Sequence, residues 1–197
     1  MLSEAFGHDR YDVHHHSLSA FRANILGLFL PIPFALLYIV LYRASFPYVS
    51  HLDYPTLPTD RMIYIPLYLL SFFVILTVLI TLHELIHAVI FRLSAQKGRR
   101  SIQIRFRVLT PSAHCVEALP LGIYRLALVA PLFLLVLPLA FVSVLFGDPF
   151  SFLVTLIMIF SIGGDLTALW ITRKHSGKGI YILDNPTRAA CEVFIPR

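Results

Sequence analysis

The sequence predicts an all-α membrane protein with four transmembrane helices and a small β-hairpin or extended loop between the second and third helices. Hydrophobic residues make up 57% of the 197 positions and charged residues only 14%, with a mean hydropathy of +0.77. Soluble domains are far less apolar. Four apolar segments each reach the length of about 20 helical residues that crosses a hydrocarbon core. We therefore expect a single integral membrane domain.

The four predicted spans are residues 22–42, 63–93, 122–146 and 151–172. The first contains Pro31 and Pro33, so it should be kinked, and the second exceeds a simple span, so it should tilt or project beyond the bilayer. The short Gly147-Asp148-Pro149 turn joins the third span to the fourth. These two helices should therefore be antiparallel neighbours.

The distribution of basic residues predicts the orientation. Lysine and arginine are concentrated in the connection after the second span and in the tail after the fourth, and none lies in the turn at 147–150. Basic connections face the cytoplasm in most membrane proteins. We therefore expect a multi-pass protein of the cell membrane with both termini cytoplasmic: an N-terminal segment at 1–21, a membrane core at 22–172 and a tail at 173–197.

The ends of the chain and its charge add little that is specific. The first residues do not show the signal-peptide pattern of a basic stretch, a short apolar stretch and a cleavage site with small residues, so no signal peptide is expected. The cluster His14-His15-His16 is expected to be solvated. Cys115 and Cys191 are expected to be reduced thiols. A net charge of +5 fits anionic lipid head groups better than nucleic acid, for which there is no motif.

The connection between the second and third spans contains an alternating pattern. From Ser101 to Thr110 apolar and polar residues alternate, which is typical of a strand with one apolar face, and Pro111 is expected to end it. A second extended piece is expected from His114 to Leu119. The pattern is equally compatible with an amphipathic loop. As a sheet, its edge could hold an unwound peptide as an additional strand.

The second span contains the motif His83-Glu84-Leu-Ile-His87. Residues four apart lie on one face of a helix, so both imidazoles can bind one Zn²⁺ with Glu84 beside it. Ionisable residues inside a membrane are costly and usually functional. The motif predicts peptide hydrolysis, in which zinc activates a water and Glu84 transfers its proton to the leaving amine. Spacing does not exclude Fe²⁺ or Co²⁺.

A catalytic zinc needs a third protein ligand, and Asp165 in the fourth span is the first candidate. His83 precedes Arg92 by nine residues and Asp165 precedes Arg173 by eight, which places both roughly 12–14 Å from a boundary charge. His114, with Glu117, is the rival. If both His114 and Asp165 bound, no position would remain for water. We therefore expect His114 either to position the substrate or transition state or to be an ordinary surface histidine. Cys115 and Glu117 are weaker candidates for such a role. His51 and His175 are expected to be solvated.

Together these residues resemble two related groups of proteins. The order of features along the chain is similar to that in the core of site-2 intramembrane metalloproteases: the motif His83-Glu84-x-x-His87, a basic connection that contains a strand, another span, and then Asp165. The chain further resembles small bacterial membrane proteins described as "putative zincin peptidases". The stretches that carry this second resemblance are Ala113-His114-Cys115, Gly164-Asp165 and Asp184-Asn185-Pro186. The resemblance covers about residues 60–195. It implies zinc binding by His83, His87 and Asp165, and catalysis by Glu84.

The sequence leaves several functions open. The leading hypothesis is a zinc-dependent intramembrane or membrane-proximal endopeptidase acting on a membrane protein or peptide, with the lipid bilayer as its surroundings. A non-catalytic metal carrier or sensor would use the same ligands without activating water, and a membrane scaffold would not depend on them at all. The natural substrate and the oligomeric state are not indicated.

Overall fold

A computed structural model of the protein describes residues 11–49, 64–96, 98–107, 110–184 and 190–197. Within these ranges, four helical segments are long and apolar enough to cross a membrane: Ala20–Ser45, Tyr64–Ser94, Leu121–Phe146 and Pro149–Thr172. They confirm the four predicted spans to within a few residues. The chain is therefore a multi-pass membrane protein.

The spans are built from seven helices, because three of the four are interrupted. The helices are α1 (Ala20–Phe29), α2 (Ile32–Val49), α3 (Tyr64–Ser94), α4 (Leu121–Pro131), α5 (Leu137–Phe146), α6 (Pro149–Ser161) and α7 (Gly163–Thr172). The break between α1 and α2 lies at the buried Pro31, which confirms the predicted kink. A π-helical turn at Leu132–Val136 separates α4 from α5. Only α3 crosses without a break, over 31 residues.

The described residues also contain six short strands: β1 (Tyr11–Ser17), β2 (Ile102–Arg107), β3 (Thr110–Cys115), β4 (Leu119–Pro120), β5 (Tyr181–Asp184) and β6 (Ala190–Pro196). Strands β2 and β3 form an antiparallel pair, which confirms the predicted hairpin. The predicted end of its first strand is wrong. Pro111 lies inside β3, opposite Phe106, and the chain reverses before it.

The other four strands form a second, unpredicted antiparallel sheet in the order β1-β6-β5-β4. Strand β1 precedes the first span, β4 precedes the third, and β5 and β6 follow the fourth. Because successive spans alternate in direction, all these strands and the β2–β3 hairpin lie at one end of the bundle. The pairing of β1 with β6 brings both ends of the described chain together on that side. The described part of the N-terminal segment, Tyr11–Ser17, is thus a paired strand rather than an unpaired extension, and His14 and His15 on that strand are exposed, as expected.

The opposite end of the bundle is closed by the turn between α5 and α6. Gly147 has a φ of 69° and ends α5, while the Asp148 carboxylate accepts a hydrogen bond of 2.8 Å from the Ser151 amide and caps α6. Tyr42 donates a 2.6 Å hydrogen bond to the Gly147 carbonyl and fixes α2 against this turn. The antiparallel packing of the third and fourth spans is therefore confirmed.

A histidine contact joins β1 to the end of the fourth span. The Nε2 atoms of His16 and His175 lie 2.8 Å apart, and His14 faces the same ring with 6.3 Å between centroids. Arg125 of α4 donates a 2.9 Å hydrogen bond to the His175 carbonyl. Burial and these neighbours, His16, His14 and Arg125, lower the pKa of His175. His175 is thus half-buried and in contact with other side chains, so it is less solvated than the sequence suggests.

We expect acid to loosen β1 from the sheet. A histidine whose pKa is lowered by folding binds fewer protons than it does in the unfolded chain, so stability falls as the pH drops from about 6.5 towards the folded pKa. Hydrogen-exchange protection factors of the Tyr11–Ser17 amides at pH 7 and pH 5 test this. His175→Gln should remove the pH dependence, whereas His15→Gln, on the opposite face beside Glu192, should retain it. Equal pH dependence in wild type and His175→Gln would contradict the assignment.

Candidate metal centre

Two histidines of α3 form the first half of the site. His83 and His87 are one helical turn apart, so their rings project from one face, with ring centroids 4.9 Å apart. Both are only 5% exposed. The His87 ring stacks on Phe91, and Phe91 in turn stacks on Tyr124 of α4. This aromatic stack restricts the plane of the His87 ring.

Asp165 reaches the same place from the first turn of α7. The helix begins at Gly163, directly after the break at Ile162, where α7 crosses α1 at backbone contact distance. A Cβ atom at Gly163 would overlap the Gly27 carbonyl and lie only 2.8 Å from the Gly27 carbonyl carbon. The absence of a side chain therefore allows the close approach of α1 and α7. That approach determines the position of Asp165 two residues later.

The three side chains meet in a tight triangle. His83 Nε2 lies 3.1 Å from Asp165 Oδ2, and His87 Nε2 lies 3.3 Å from Asp165 Oδ1. The two Nε2 atoms are 3.2 Å apart. Among the described residues, these three form the one group of histidine, cysteine or acidic side chains whose ligand atoms converge closely enough to hold a metal ion. The predicted meeting of α3 and the fourth span at equal depth is observed.

The donor set fits a divalent cation. Bonds of about 2.0–2.1 Å to a tetrahedral zinc place ligand atoms roughly 3.3–3.4 Å apart, close to the separations seen here. Asp165 Oδ2 is buried and accepts no hydrogen bond from any described residue, although His83 Nε2 is near. Ring-nitrogen lone pairs and carboxylate oxygens repel one another when they converge, unless a proton or a cation lies between them. Two imidazoles and one carboxylate are a common ligand set for catalytic zinc.

Glu84 lies beside this triangle on α3. It directly follows His83 and precedes His87 by three residues, so it shares the helix surface that bears them, and it is half-buried. Its position is the one that the sequence predicts for a base next to bound metal. The role of Glu84 itself remains a prediction.

The rival candidates lie elsewhere. His114 is a half-buried residue of β3, opposite Gln103, and is not part of the converging group. Glu117 has a structural role, because its carboxylate accepts hydrogen bonds of 2.8 Å from the Gln96 amide and 2.6 Å from the Ser101 hydroxyl. These bonds join the end of α3 to the start of the hairpin. Cys115 is a buried thiol outside any disulfide, and His51 lies outside the described residues.

A family model described as "Putative zincin peptidase" matches residues 76–178, just over half of the chain. The match spans the histidine motif of α3, the hairpin and the aspartate of α7. The chain belongs to this family. The family description indicates a zinc metallopeptidase, in agreement with the converging histidine and aspartate side chains, and the predicted resemblance to this family is confirmed. No curated protein and no solved structure matches the chain.

Sequence reasoning missed two residues that support this candidate site. Gly27 provides the backbone surface against which Gly163 packs, and Ala127 provides the carbonyl oxygen that lies 3.0 Å from His87 Nδ1. Neither residue carries a functional group, so side-chain chemistry could not indicate them. The available signal for Ala127 was indirect, since Pro131 follows it by four residues on a helix.

Proposed function

We propose that the protein is a zinc-dependent endopeptidase that hydrolyses peptide bonds of membrane-protein or peptide substrates. His83, His87 and Asp165 are its metal ligands and Glu84 is its general base. The observation that carries the proposal is the convergence of these three ligand atoms within 4.8 Å of one another, inside membrane-spanning helices and next to a glutamate. Three protein ligands leave a coordination position for water.

The chemistry divides between the metal and the chain. Bound zinc supplies a Lewis acid that activates water and polarises the scissile carbonyl. Glu84 takes the proton from the attacking water and delivers it to the leaving amine, as a base on the same helix as two ligands can. The buried histidine faces exclude bulk water from the reacting atoms, which strengthens the electrostatic interactions of the site.

The β2–β3 hairpin is the proposed place for the substrate backbone. It follows α3, the helix that carries two proposed ligands and the base, after a 3₁₀ turn at Gly98–Ser101, and its two strands form a sheet of their own. An extended peptide can add to a sheet edge through main-chain hydrogen bonds. We propose that substrates unwind at this end of the bundle, which the distribution of basic residues predicts to be the cytoplasmic end.

Metal removal tests the proposed function. Protein in liposomes should bind a single zinc and cleave members of a panel of single-span membrane peptides, with cleavage lost after chelation and restored by Zn²⁺ or Co²⁺. Zinc content and product mass are the measurements. Hydrolysis by the metal-free protein would contradict the proposal, as would an absence of bound zinc. Zinc binding and transfer with no cleavage of any peptide would instead favour a carrier.

A further inference from the structure

The carbonyl of Ala127 in α4 has lost its normal helical partner. In an α-helix this oxygen accepts a hydrogen bond from the amide four residues later, and that residue here is Pro131, which has no N–H. The next amide, of Leu132, bonds to the Val129 carbonyl instead. The π-helical turn begins immediately afterwards. The Ala127 oxygen therefore lacks the amide that would occupy it in a regular α-helix.

The Ala127 oxygen is taken by a zinc ligand. It lies 3.0 Å from His87 Nδ1, and both residues are buried, with Ala127 completely inaccessible. A carbonyl can only accept a hydrogen bond, so the proton must reside on Nδ1. In the neutral ring this leaves Nε2 with its lone pair, and Nε2 is the nitrogen that faces His83 and Asp165.

We infer that Pro131 is a positioning residue for the metal centre: by removing one backbone N–H, it leaves the Ala127 carbonyl to hold His87 in the Nε2-binding tautomer. The inference rests on the proposed zinc site and adds a residue to its support. A hydrogen-bond partner on the second ring nitrogen orients a histidine ligand and raises its basicity, and losing such a partner typically lowers metal affinity by about 10- to 100-fold.

The test restores the missing N–H. Pro131→Ala provides an amide that can bond to the Ala127 oxygen and compete with His87, and it should fold because alanine suits a helix interior better than proline. We expect zinc affinity, measured by competition with a chromogenic chelator, to fall by about 10- to 100-fold. In the metal-free protein, the ¹⁵N resonances of His87 should shift away from the Nδ1–H tautomer.

Two controls separate the N–H from the shape of the proline ring. Lactic acid incorporated at position 131 replaces the N–H by an ester oxygen and also lacks the ring, so it should retain wild-type affinity and tautomer. Pro138→Ala, in the same span, restores an N–H directed at the carbonyl of the lipid-exposed Leu134 and should change neither quantity.

Two results would overturn the inference: wild-type affinity and tautomer in Pro131→Ala, or equal losses with alanine and lactic acid. Failure of the proposed function would look different. Wild-type protein would then bind no zinc, or bind it without hydrolysing peptides. The tautomer measurement on the metal-free protein still decides whether Pro131 controls His87.

Discussion

Glu84→Gln is expected to abolish peptide hydrolysis while zinc remains bound. Glutamine has nearly the same shape as glutamate but cannot take a proton from water. General acid–base catalysis contributes about 10²- to 10⁴-fold, so the cleavage rate should fall by that factor. Zinc content should stay at the wild-type level, because the converging ligand group consists of His83, His87 and Asp165 without Glu84. Cleavage of a membrane peptide and zinc content are measured on the same preparation.

The control for this prediction is Glu192→Gln. Glu192 lies on β6, where its partner is His15 at 3.5 Å on the sheet surface, so the same change of charge there should leave hydrolysis unaltered. Asp165→Ala should instead lose zinc, which distinguishes a ligand from a base. Equal cleavage by wild type and Glu84→Gln, with zinc present in both, would refute the role of Glu84.

Gly163→Ala is expected to displace Asp165 and so damage the site from outside it. The added methyl group would overlap the Gly27 backbone, which cannot rotate away as a side chain can. Helices α1 and α7 must separate, and overpacking of this kind costs about 1–3 kcal/mol of unfolding free energy. Misplacing a catalytic group by about 1 Å can lower the rate by roughly 10²-fold. The cleavage rate of Gly163→Ala should therefore fall by more than the loss of folded protein accounts for.

Two neighbouring glycines provide matched controls. A Cβ atom at Gly164 meets nothing within 4 Å, and one at Gly27 meets the Gly163 backbone at an ordinary 3.6 Å. Gly164→Ala and Gly27→Ala should therefore retain wild-type stability and zinc affinity. Trp170, the single tryptophan of the chain and a residue of α7, reports unfolding by fluorescence. Similar behaviour of all three variants would contradict the close packing of α7 on α1 at Gly163.

Local chemistry was sufficient to predict the membrane spans and the three side chains that converge in the candidate metal centre. Apolar length specifies the spans, because a bilayer requires about 20 apolar helical residues regardless of what surrounds them. The spacing of His83 and His87 puts both on one helix face. A similar distance from a boundary arginine indicates that Asp165 and His83 lie at a similar depth. These arguments need no knowledge of how the helices pack. The hairpin followed from alternation, although the position of its turn did not.

Tertiary structure alone decided the remaining features, because each depends on atoms distant in sequence. The pairing of β1 with β6 joins opposite ends of the chain, and neither strand has a pattern that specifies the other. Gly163 and Gly164 cannot be distinguished in the sequence. They differ in the structure because Gly27 packs against Gly163 and not against Gly164. The packing of α3 on α4 determines whether the Ala127 oxygen accepts a hydrogen bond from His87. Composition and periodicity report a residue's own preferences, whereas these features arise from which partner the folded chain places beside it.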